Sequence, residues 1–181
     1  MQRHIANPVL KETVTFTRMA AETGGQVSDL EITLQPGGGN PLHYHTSYSE
    51  TFTAIEGELS LGLAGGKTRV LRPGESHVVE IGQVHRFFNA TGQTIRFRNE
   101  VLPGHEGFEN ALRILAGLAN DGLYDERKAI PRSFVHLAVV GVMSDMRLPG
   151  LMALTTPLLR WVAGRARRDG TEQALLERYC R

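Results

Sequence analysis

The chain is short of three things: cysteine, long apolar runs, and an excess of charge of either sign. Its single cysteine, Cys180, lies one residue from the end, so no internal disulfide can form. That usage suits a reducing compartment, and a cytoplasmic location is the expectation. The opening stretch MQRHIANPVLKETVTF lacks the continuous apolar segment of a secretory signal. No stretch reaches the ~18 uncharged apolar residues of a bilayer span. Lys and Arg number 20 against 19 Asp and Glu, a formal charge of +1, which gives no electrostatic footprint for DNA or RNA. Nucleophile motifs are missing too, with neither a G-x-S-x-G nor a Cys-His pair. The glycine run PGGGN is not followed by the lysine and helix of a phosphate-cradling loop, and reads as a flexible lead-in to a strand.

What is present falls into two grammars. At 181 residues and 41% hydrophobic, the chain can build one sizeable core without disulfides. Up to Gly104 the pattern has period two, broken every eight to twelve residues by Gly, Pro or Asn, as in a sandwich or barrel of short strands. Leu30, Ile32 and Leu34 share one face, as do Ile95, Phe97, Asn99 and Val101. Leu59, Leu61 and Leu63 align before a Gly65-Gly66 turn. Beyond Gly104 the period becomes helical. Phe108, Leu112, Leu115 and Leu118 form one stripe, ended by Asn120-Asp121-Gly122. SFVHLAVVGVMSDM and PGLMALTTPLLRWVAGRARR read as further, more apolar helices, with Ser133 and Thr171 as N-caps of the helices they precede. The division expected is a β-barrel over 1–104 and a helical extension over 105–181.

The chemistry-bearing residues lie in the first part. His43 and His45 are two apart on an extended segment and so share a face. Glu50 can join them if the polar TSYS run bends, and His85 offers a third imidazole from a different strand. Two stretches carry these residues. One runs Gly37, five residues, His43-x-His45, four residues, Glu50, six residues, Gly57. The other contains Gly74, Gly82, two residues, His85, three residues, Asn89.

These stretches resemble the paired motifs of the cupin superfamily over roughly residues 25–102, with Glu80 standing where the second motif has proline. The resemblance implies a mainly β, double-stranded β-helix barrel of jelly-roll type followed here by the α-helical extension. It also implies His43, His45, Glu50 and His85 as ligands of one divalent transition metal ion: Fe, Mn, Ni, Zn or Cu. Two reaction types follow from the resemblance on a small chelating molecule: dioxygenase-like chemistry, or isomerase/lyase chemistry with Glu50, the candidate catalytic residue, or a bound water moving the proton. A non-catalytic module that binds a small ligand or a metal is the alternative.

Around that centre, Phe52, Ala54 and Phe87 share strand parity with Glu50 or His85 and are candidate pocket residues. His77 is a candidate donor to the ligands, and His136 a core or interface histidine. A small-molecule substrate and a homodimer are the expected partners, the dimer pairing through the strand ETVTFTRMA. For the apolar extension, packing on protein is expected over lying in a membrane surface, where Trp161 and GRARR would sit well.

Overall fold

The computed structural model describes residues 2–181. Its strands are β1 (His4–Asn7), β2 (Glu12–Arg18), β3 (Ser28–Leu34), β4 (Ser49–Glu56), β5 (Leu59–Leu63), β6 (Thr68–Leu71), β7 (Ser76–Val79), β8 (His85–Phe88) and β9 (Ile95–Leu102). They form two antiparallel sheets, ordered β1-β2-β3-β9-β4-β7 and β6-β5-β8. The alternation read from sequence is the reason they pack. Leu30, Ile32, Leu34, Ile95, Phe97 and Val101 are buried, and Arg96, Arg98 and Glu100 turn outward. Asp29 is outward by parity yet buried, because Arg98 and Arg18 close over it. Between the sheets, Phe87 of β8 meets Phe97 of β9 and Phe52 of β4 with ring centres 5.2 and 6.1 Å apart. The result is the mainly β, jelly-roll-like architecture expected.

Two turns carry the motif glycines. Gly57 (φ +73°) joins β4 to β5 where a Cβ would collide with Ile95, so only glycine fits. The turn before β8 forms without the proline. The Glu80 amide donates to Gln83 Oε1, the Gln83 amide donates to the Glu80 carbonyl, and Gly82 takes φ +80°.

The extension is built from α1 (Glu106–Asn120), a short hairpin of β10 (Tyr124–Asp125) and β11 (Ile130–Pro131), α2 (Phe134–Met143), α3 (Thr156–Arg168) and α4 (Thr171–Tyr179). Helix α1 is riveted to the barrel. Buried Glu109 accepts from the Ala20 amide and the Ser28 hydroxyl at 2.7 and 2.6 Å, and Arg113 lies 4.1 Å over the Phe16 ring. A second core of Ile114, Leu118, Val139, Val140 and Leu175 joins α1, α2 and α4.

Four sequence expectations need correction. Strand β2, which contains most of ETVTFTRMA, is hydrogen-bonded to β1 on one edge and β3 on the other, so it has no free edge for a partner chain. Thr171 does not cap α4. Gly170 precedes the helix in a left-handed conformation, and Asp169 Oδ1 accepts from both the amide and the hydroxyl of Thr171. PGLMALTTPLLRWVAGRARR is not one helix but a 3₁₀ turn over Gly150–Thr155 followed by α3, with Pro157 in the first turn. That stretch is also not buried. Because α3 packs through small Ala163 and Ala166, its other face stays outside with Trp161 63% exposed, and the 3₁₀ turn before it leaves Leu151 86% and Leu154 78% exposed. No helix among the described residues is long and apolar enough to cross a membrane.

Packing of α1 against α2 depends on Gly107, where a Cβ would run into the carbonyl of Met143. In an unconstrained helix Gly→Ala gains up to about 1 kcal/mol. Gly107→Ala is therefore expected to lose roughly 1–3 kcal/mol by overpacking, whereas Gly164→Ala on α3, with only the Arg168 side chain near, should gain stability. Chemical denaturation of the two variants beside the wild type checks the opposite signs.

Candidate metal centre

Three segments aim four donors at a common point. Strand β4 supplies Glu50, β8 supplies His85, and the irregular run ahead of β4 supplies His43 and His45. His43 and His85 sit directly opposite each other, exchanging amide-to-carbonyl hydrogen bonds of 2.9 and 2.8 Å. Both side chains therefore leave the ladder on the same side. The Gly82 amide donates to the His45 carbonyl at 2.7 Å and fixes the second histidine. All four residues are at most 4% exposed, and their ligand atoms lie within 4.8 Å of one another. The structure thus brings together every residue of the expected ligand set.

Each ring's Nδ1 faces a backbone carbonyl: His43 that of Pro41 at 2.7 Å, His85 that of Gln83 at 3.0 Å, and His45 that of Asp145 at 3.3 Å. A carbonyl only accepts, so the proton belongs on Nδ1 and Nε2 is left as a lone pair turned inward. Glu50 Oε2 lies 2.8 Å from His85 Nε2 and 3.3 Å from His45 Nε2, while its Oε1 accepts from Asn99 Nδ2 at 2.8 Å. His45 Nε2 is buried with no hydrogen-bond partner. Acceptors crowding one another in a dry site repel unless a cation lies among them. Ligand atoms ~2.0–2.2 Å from one ion are ~3–4 Å apart, close to the observed spacing. The donor set fits a divalent transition metal.

The electrostatics agree. With no metal present, a proton on the inward nitrogens of His45 and His85 plays the cation's part: burial by itself would raise the Glu50 pKa, but contact with those protonated imidazoles outweighs it and holds the carboxyl well below the usual range. Burial, then the neighbouring imidazoles, push His43 down to about 3. For His85 the Glu50 contacts overcome burial and raise the pKa. Protons therefore compete poorly for the inward lone pair of His43.

The extension completes the site. Asp145, in the α2–α3 connection with φ +50°, places its carboxylate on the segment carrying His45. It accepts from the Thr46 amide at 2.6 Å and from the hydroxyls of Thr46 and Ser47 at 2.9 and 2.8 Å. Tyr44 and Arg147 add a two-way backbone bridge. Buried Tyr48 stacks on His45 at 4.4 Å and donates to the Ser144 carbonyl at 2.7 Å. The His45 ring is thus held by the Asp145 carbonyl, a hundred positions downstream, and by Tyr48, itself tied to Ser144.

Above the four donors a cavity of about 110 Å³ opens between the barrel mouth and α1, α2 and the β10–β11 hairpin. Val14, Ile32, Phe87, Phe108, Leu112 and Val140 are among its walls, and no Lys or Arg lines it among the described residues. Phe87 is therefore a pocket residue as expected. Phe52 and Ala54 are buried barrel filling and do not line it. His77 lies opposite Phe52 on β7 and makes no hydrogen bond to any of the four ligands. His136 is half-buried on α2 with its Nδ1 unpartnered.

One pocket residue escaped the sequence reading. Glu12 shares the inward parity of Val14 and Phe16 on β2, is 8% exposed, and lines the same cavity. Among the described residues its carboxyl has no hydrogen bond or ion pair, and burial lifts its pKa to about 7. The signal lay in the alternation E-T-V-T-F, which aligns an acid with two core residues.

Residues 30–99 match the sequence profile of the cupin domain. Over 85 residues, 43% of the chain, the sequence is 34% identical to germin-like protein 3-8 of Oryza sativa subsp. japonica, of which the match covers 38%. It is 36% identical over 70 residues to oxalate oxidase 1 of Hordeum vulgare, covering 35% of each protein. The chain spans little more than a third of the length of these curated relatives. Among solved structures, the polyketide cyclase RemF from Streptomyces resistomycificus aligns with 51% of this chain and 65% of its own, at 26% identity and a TM-score of 0.47. A predicted oxalate decarboxylase from Thermotoga maritima aligns with 51% of this chain and 80% of its own, at 17% identity and a TM-score of 0.48.

Protein purified without chelator is expected to hold about one equivalent of divalent transition metal, and a His43→Ala/His45→Ala double variant to lose it. Elemental analysis of the two preparations decides this, equal metal in both being the contrary result. Glu12 gives a second expectation. A carboxyl with a raised folded-state pKa favours folding below its unfolded value of 4.5 and loses that stability as pH rises through about 7. Between those limits Glu12→Gln should gain on the wild type by up to about 3 kcal/mol. Denaturant titrations at both ends of the window measure the change.

Proposed function

The chain carries a domain of the cupin superfamily over residues 30–99, and from that premise we propose that it is a metal-dependent enzyme for a small, largely apolar molecule. The substrate would present a chelating pair of oxygens to the metal. One observation carries the reading: His43, His45 and Glu50, three members of the four-donor cluster, line a cavity whose walls are otherwise largely apolar and carry no Lys or Arg among the described residues. Such walls recognise hydrocarbon surface, and they offer nothing to a phosphate or a second carboxylate beyond the metal itself. For that reason an extended enol or hydroxyketone fits this pocket better than a small dianion such as the oxalate in the name of the barley relative.

A transition metal held by His43, His45, Glu50 and His85 would polarise the chelated oxygens and, if redox-active, permit reaction with O₂. The chain's own part is positional and protic. Asn99 and the two imidazoles keep Glu50 ionised and oriented, and we assign to it the proton leaving the carbon beside the chelated carbonyl. The apolar walls and the α1–α2 cover exclude water from that carbon.

The metal-loaded protein, offered a panel of alkyl- and aryl-substituted 1,3-diketones and α-hydroxyketones in D₂O, should exchange the α-hydrogen, as followed by NMR. The His43→Ala/His45→Ala variant should not exchange it. An oxygen electrode run alongside separates oxidation from isomerisation. Binding of the panel without exchange and without O₂ uptake would replace the enzyme reading with that of a non-catalytic ligand-binding module.

A further inference from the structure

The cavity has two polar ends, and the proposed reaction uses only one. At the other, Glu12 opens β2 beside the Gly39–Leu10 contact, where the Gly39 amide donates to the Leu10 carbonyl at 3.3 Å. Only three residues lie between Gly39 and His43, at most about 13 Å of extended chain. Glu12 lines the cavity from β2 and Glu50 from β4, with β3 and β9 between them in the sheet, and Val14, Ile32 and Leu112 are among the apolar walls they share.

Of the other polar side chains lining this cavity, Asn40, Ser144 and Asn99 each make a hydrogen bond, with Asn99 Oδ1 itself unpartnered. Asn40 Oδ1 accepts from the Phe87 amide at 2.9 Å, the Ser144 hydroxyl donates to the Val140 carbonyl at 2.8 Å, and Asn99 holds Glu50. Tyr124 of β10 is buried close to Glu12, whose charge, after burial itself, helps push the phenol pKa upward. Glu12, alone of the two acids lining the cavity, has no hydrogen-bond or ion-pair partner among the described residues. An unpaired buried carboxyl costs stability, and here it has been placed on the inward face of a strand where the alternation otherwise puts Val14 and Phe16.

Resting on the reading of the cavity as a metal-anchored substrate pocket, we propose that Glu12 is a second recognition point. It accepts a hydrogen bond from a donor group, a hydroxyl or a protonated amine, on the far end of an elongated and otherwise apolar substrate. The substrate class becomes narrower: a chelating oxygen pair, an apolar middle, and a terminal donor. Discrimination arises because a substrate ending in methyl leaves the carboxyl buried and unpaired, whereas a donor-ended one satisfies it.

The test uses the full-length, metal-loaded protein and alkyl hydroxamates, whose head chelates metal. For chain lengths of about four to ten carbons, spanning ~13 Å, methyl-, hydroxyl- and amine-ended members are compared by calorimetry. At one length, the wild type should bind a donor-ended member at least about tenfold more tightly than its methyl-ended counterpart, as expected for a bond to a charged group. Glu12→Leu and Glu12→Gln, each retaining metal, should lose that preference, and Glu12→Leu should bind the methyl-ended compound as well as the wild type or better. An advantage for the amine alone assigns a cationic substrate end, and one for the hydroxyl assigns a neutral end. Methyl-ended hydroxamates that bind while donors confer no advantage at any length overturn the subsite and leave the metal pocket standing. Failure of every hydroxamate to bind overturns the pocket reading and this proposal with it.

Discussion

Three imidazole lone pairs and a carboxylate oxygen, packed within a few ångströms of one another and shielded from water, repel each other in the absence of a cation, and the surrounding architecture is arranged to hold them there regardless. The barrel supplies rigidity through the β4–β9 and β5–β8 ladders. Three backbone carbonyls supply direction by claiming every Nδ1 proton. The cost of gathering these groups is met by the aromatic core behind them, where Phe52, Phe87 and Phe97 interlock. Binding energy from a metal then adds directly to the stability of the folded chain.

The helical extension is not an appendage to this arrangement. Its first helix roofs the pocket with Phe108 and Leu112, its hairpin brings Tyr124 and Pro131 to the rim, and Asp145 anchors the loop that carries His45. An apolar cavity facing a metal requires such a roof, since a barrel mouth left open to solvent would lose the dielectric contrast that strengthens electrostatic steps inside.

Much of this was legible in the sequence, and the reasons differ by residue. The barrel and its four donors announced themselves because strand parity and motif spacing are local properties. His43, His45, Glu50 and His85 needed only the right register to meet. Helix α1 was legible from its stripe, and Ser133 caps α2 as expected. What stayed hidden depended on contacts between distant parts of the chain. Nothing near Asp145 shows that it will grip Thr46, and nothing in ETVTFTRMA says that both its edges are taken. Thr171 was misread because the N-cap position falls on Gly170 and the threonine is already inside the helix, and the PGLMALTTPLLRW stretch because hydrophobicity alone does not reveal that α3 packs through its alanines. Glu12 is different: its parity with Val14 and Phe16 is readable in the sequence, but alternation alone does not show that the carboxyl will reach the metal-bearing cavity.

The grip of Asp145 on Thr46 and Ser47 ties two properties that many pockets keep separate. The connection that carries Asp145 also borders the cavity through Ser144 and Met146, so any movement that lifts it to widen the opening withdraws the carbonyl that orients the His45 ring. In this chain, admission of a ligand and retention of a metal are adjusted by one and the same hinge. A sequence change that eases the passage of larger molecules at that hinge loosens a ligand of the ion in the same motion.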